Sequence, residues 1–138
     1  MLYRALKWIL VLIVAFMAAA LAEGLIDTVF DAFDGVQGHA ALSVWQQMVK
    51  AFGSGLAFTL VPALIPFRLR YVAPVVFTIG VLVGVLPTVY LLMSHEYLRE
   101  RASQDVGKLA LPIAADVVGG AVAVLIARWK DSRPSSRP

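Results

Sequence analysis

An all-α fold is predicted for this chain, a multipass membrane protein built as a four-transmembrane-helix bundle with an amphipathic outer loop segment. Three observations predict it. Four apolar stretches, residues 8–26, 51–67, 71–93 and 109–127, are 17 to 23 residues long, and a helix needs about 20 residues to cross the hydrocarbon. The apolar fraction is 60%, the charged fraction 15% and the mean hydropathy +0.81, against roughly 45 to 50% and about 25% for soluble domains. Lys and Arg collect at the ends of the apolar stretches, as they do where spans meet water.

The first span is preceded by Arg4 and Lys7. It reads as an uncleaved membrane helix, and alternatively as a secretory leader cut after Ala20-Leu21-Ala22, which has the small-x-small pattern of a cleavage site. Beyond it, Glu23, Asp27, Asp31 and Asp34 recur at near-helical spacing among Leu25, Ile26, Val29, Phe30 and Phe33, which predicts an amphipathic extension interrupted at Gly35 and Gly38. Residues 42–50, with Trp45, Gln46 and Gln47, read as an interfacial lead into the second span. The link Arg68-Leu69-Arg70 is so short that the second and third spans must be antiparallel neighbours.

Eight basic residues fall on one side of these spans (Arg4, Lys7, Arg68, Arg70, Arg128, Lys130, Arg133 and Arg137) and four on the other (Lys50, Arg99, Arg101 and Lys108). The positive-inside rule then places both termini in the cytoplasm, in a bacterial inner membrane. Residues 1–129 form the membrane domain, and 130–138, rich in Ser, Pro and Arg, read as a disordered basic cytoplasmic tail.

Helices in lipid associate through close backbone approach, which small residues permit. The candidates are Gly55 in the second span, Gly80 and Gly84 as a GxxxG in the third, and Gly119 and Gly120 in the fourth. Pro62 and Pro87 lie deep in their spans and are expected to mark hinges or cavities. Pro66, Pro74 and Pro112 read as first-turn or last-turn residues.

Asp116 is the residue that demands a function. It lies seven residues into its span, at a depth where a carboxylate costs about 2.5 to 3.5 kcal/mol on insertion scales. A bound proton, a hydroxyl such as Thr59, Thr78 or Thr88, or a group on another protein would offset that cost. Glu23, at the end of the first span, reads as a possible acid at the outer mouth of the bundle. Salt bridges between the acidic row and Arg99, Arg101 and Lys108 of the other outer loop are expected in preference to a divalent-metal site, since no Gly-turned calcium loop is present.

The chain contains no cysteine, which excludes disulfides and thiolate chemistry, and its histidines, His39 and His95, fall in predicted loops. No HExxH, phosphate loop or Ser-His pairing occurs. No enzyme activity, cofactor, metal or nucleic acid is therefore expected. The expected partners are the lipid bilayer and either another membrane protein or a second copy of the chain. The function expected first is that of an accessory, regulatory or immunity-type subunit of a larger membrane complex. The alternative is a small proton-coupled transporter or ion-conducting oligomer with Asp116 as its titrating site.

Overall fold

The computed structural model describes residues 1–34, 44–65, 71–94 and 106–133. Among them are four helices and no strand: α1 Leu2–Asp34, α2 Val44–Leu64, α3 Val72–Ser94 and α4 Val106–Ser132. The predicted interruption at Gly35 and Gly38, the link 68–70, both histidines, Arg99, Arg101 and residues 134–138 lie outside the described residues.

Every helix outruns or shifts its apolar stretch, because hydrogen bonding continues past the lipid boundary. The 33 residues of α1 make a rod of about 50 Å, against about 30 Å of hydrocarbon. The acidic row through Asp31 and Asp34 is thus a continuation of α1, as its spacing predicts. Residues 44–50 belong to α2, and α4 continues to Ser132, three residues into the expected tail. At the start of α3, Tyr71 has φ 62°, a left-handed conformation that costs a non-glycine residue on the order of 1 kcal/mol. Its carbonyl accepts a 3.1 Å hydrogen bond from the Val75 amide and so begins the helix.

Among the described residues three helices are long and apolar enough to cross a membrane: Leu2–Phe33, Val72–Tyr90 and Ala110–Ser132. The fourth helix, α2, is not among them. Its physical position explains its composition, for α2 packs against α1, α3 and α4 alike. A helix screened from lipid by its neighbours can carry Gln46, Gln47, Lys50, Ser54 and Thr59.

Contacts along α2 give its direction. Trp45 meets Phe30 edge-to-face at 5.4 Å, Lys50 pairs with Asp27 at 2.7 Å, Gly53 faces Ile26, and Phe58 meets Phe16 edge-to-face at 5.1 Å. Positions climb on α2 as they fall on α1, so the two are antiparallel. Against α4 the order is reversed, Gly55 lying on Asp116 and Thr59 on Gly120, so α2 and α4 run parallel.

The α2–α4 seam is backbone on backbone. A Cβ added at Gly55 would strike the Asp116 carbonyl, and one added at Gly119 would strike the Phe52 carbonyl. Each glycine therefore faces the carbonyl three residues before its counterpart, the arrangement that lets Cα–H groups approach carbonyl oxygens across a helix pair. Gly120 receives the Phe77 ring, with a would-be Cβ contact of 2.5 Å, and Gly80 receives the Phe58 ring at 2.9 Å. Gly84 has nothing within 4 Å.

Candidate functional site

The buried core lies at one end of the bundle, where Val11 and Ala15 of α1 pack with Val72 and Val76 of α3, with Trp8 and Phe58 against them. Further along, α1 and α3 separate. The gap is a cavity of about 240 Å³, walled by α1 and α3 and floored by α2 and α4. Phe16, Phe58 and Phe77 supply much of its apolar lining, and the open Gly84 lies on its rim.

Two carboxylates reach this cavity, Glu23 from α1 and Asp116 from α4, together with the hydroxyls of Ser54 and Thr59 from α2. Glu23 lines the same cavity as Ser54 and as Gly55, the residue on which Asp116 rests. Their meeting was not legible in the sequence, which separates them by most of the chain; the signal was Glu23 standing alone among apolar residues before the acidic row.

Asp116 is held by its backbone. The Gly55 contact fixes the turn of α4 that carries it, with the Asp116 Oδ1 itself 2.5 Å from a Cβ built at Gly55, and any larger residue there would displace the carboxyl group. Among the described residues no hydrogen bond satisfies that carboxyl group. The expected donors behave differently from one another. Thr78 and Thr88 bond back to the carbonyls of Pro74 and Gly84, at 2.8 and 3.0 Å, and Thr28 does the same to Gly24. Thr59 does not. It is 1% exposed, makes no hydrogen bond to another described residue, and lines the cavity.

Proline contributes to the same place. Pro62 and Pro87 lie inside α2 and α3, and each removes the amide that the carbonyl four residues earlier takes in a regular helix. Those carbonyls belong to Phe58 and Val83, both cavity residues. Among the described residues the cavity is lined by two carboxylates and two hydroxyls amid apolar side chains, and by no Lys, Arg or His.

Further out, Asp27 is neutralised by Lys50, whose Nζ donates to Oδ2 at 2.7 Å with both side chains part-buried. This pair joins α1 to α2 and was missed in sequence, where Lys50 counts only as an outer-side charge. No group of three or more His, Asp or Glu residues among the described residues is placed to hold a metal ion. No protein-family model, no curated protein and no solved structure matches the chain.

Proposed function

We propose that this chain is a small proton-coupled membrane transporter that works through the cavity between α1 and α3, with Asp116 as its titrating site and Glu23 beside it. The observation that carries the reading is the meeting of two carboxylates in one largely apolar cavity inside the bundle. Two such groups repel unless a proton or a cation lies between them, so the site changes occupancy when either arrives. A contact with a partner subunit, the function expected first from sequence, calls for Asp116 on an outward face; its place on the cavity wall favours the alternative.

In this reading α2 crosses the membrane as well. It runs along α1 from Phe30 to Phe16 and lies among three apolar helices, which supports four spans. Both termini are cytoplasmic in a bacterial inner membrane. Supporting this, Lys7 lies over the Tyr3 ring at 4.4 Å and Arg133 over the Trp129 ring at 3.6 Å, the kind of basic and aromatic anchors that collect at an interface. The sealed end of the bundle, at Val11 and Val72, then faces the cytoplasm, and the cavity is reached from the outer half.

Proteoliposomes containing only this chain test the proposal. A pH gradient should drive a proton flux that Asp116→Asn reduces by at least about tenfold, the loss expected when a titrating site is removed. Silent liposomes, with a second membrane protein co-purifying through Asp116, would overturn transport in favour of the accessory-subunit reading.

A further inference from the structure

We infer that the cavity binds a small organic monocation, a substituted ammonium carrying an aromatic or alkyl group, in exchange for a proton. The inference rests on the transport reading above and adds its substrate class. Three independent observations define the class. Charge comes first: Glu23 and Asp116 are the titratable groups on the wall, one from α1 and one from α4, while α2 and α3 contribute no titratable side chain there. A cation replacing a proton between them leaves the charge of the cavity unchanged.

Lining comes second. Phe16, Phe58 and Phe77 border the carboxylates, and aromatic faces attract alkylammonium groups that have few hydrogen bonds to lose on leaving water. An inorganic cation would instead require a closed shell of oxygen ligands, and among the described residues no group of three or more His, Asp or Glu is placed to hold a metal ion. Size is third. The volume of about 240 Å³ exceeds the roughly 150 Å³ that encloses benzene and falls short of the range of about 300 to 1,000 Å³ for drug-sized ligands. It matches one ring with an ammonium head.

Thr59 supplies a further, separate indication. The residue is 1% exposed, lines the cavity, and is spared the back-bond that Thr28, Thr78 and Thr88 make. A hydroxyl on the cavity wall that is not engaged by its own helix is placed to hold a polar part of a ligand or to orient a carboxylate toward one.

Titration of phenyltrimethylammonium into the full chain in lipid nanodiscs, followed by calorimetry, tests the class. Saturable binding is expected, weakening on acidification as protons compete with the cation for Asp116. Asp116→Asn should weaken it by about tenfold or more, as removal of one partner of a desolvated charge pair does. Gly84→Leu should weaken it comparably by filling the cavity, and it fits the fold because nothing lies within 4 Å of that position. Thr59→Val, nearly isosteric, should cost about threefold, the worth of one hydrogen bond. Binding that survives Asp116→Asn and Gly84→Leu unchanged would put the cation elsewhere and overturn the inference. No saturable binding, with the Asp116-dependent proton flux intact, would overturn the substrate class while leaving the transport reading; loss of both would overturn the two together.

Discussion

The two inter-helix regions of this bundle use glycine to opposite ends. Along the α2–α4 seam, Gly55 and Gly119 bring backbone against backbone, each facing the other helix's carbonyl. Between α1 and α3 the contact is made by side chains at one end, Val11 and Ala15 on Val72 and Val76, and then lapses into the cavity, where Gly84 faces open space. The seam has no room for an added side chain, and the gap has. Asp116 belongs to both, its backbone against Gly55 in the seam and the residue on the cavity wall. In the proposed transport reading an acid gains from that arrangement, because close backbone packing fixes the turn that carries it.

The contrast breaks most visibly at Gly119. Gly119→Val places a branched side chain on the Phe52 carbonyl, which cannot yield as a flexible side chain would. Overpacking of this kind costs about 2 to 3 kcal/mol, and in a chain of this size should reduce the folded fraction sharply. Thermal unfolding in detergent, read by Trp fluorescence, is expected to show that loss; an unchanged midpoint would mean that α2 and α4 do not meet backbone to backbone.

How far the sequence announces this arrangement differs between the two regions. Apolar length and the basic flanks were enough to place the three helices long and apolar enough to cross a membrane, since burial in lipid acts on each segment separately; the stretch 51–67 marked α2 with shifted bounds, because that helix is shaped by its neighbours. The seam was partly legible, because small residues at helical spacing mark close approach: Gly55, Gly119 and Gly120 all lie where helices meet. The GxxxG of α3 is less uniform, with Gly80 accommodating the Phe58 ring and Gly84 none of its neighbours. The cavity was legible only through the deep Pro62 and Pro87, expected to mark hinges or cavities; its place depends on which helices diverge, and divergence is a property of the whole bundle. Asp116 drew attention through its cost alone. Glu23 reached it through the register of α1 on α2, fixed by Phe30–Trp45, Asp27–Lys50 and Phe16–Phe58, pairs that no local pattern reveals.

That register offers an intermediate test. Lys50 and Asp27 are 26% and 40% exposed, so water screens their attraction and the pair contributes at most about 1 kcal/mol. Lys50→Met should lower the unfolding midpoint slightly, and Asp27→Asn on that background should add little, since the first change already removes the interaction. Equal and additive losses would indicate that the two residues act separately and that α1 is free to slide on α2.

The smallest expected effect has the opposite sign and separates the two uses of glycine most cleanly. At Gly84 a methyl group meets nothing within 4 Å, while the helix gains the conformational restriction that glycine lacks, worth about 0.5 to 1 kcal/mol. Gly84→Ala should therefore raise the unfolding midpoint by a few degrees, where Gly119→Ala lowers it. If transport requires α3 to flex around this point and around Pro87 three residues on, the stabilised variant should also carry its substrate more slowly with binding unimpaired. A variant that is more stable and equally fast would place the moving element in α1, the other wall of the gap.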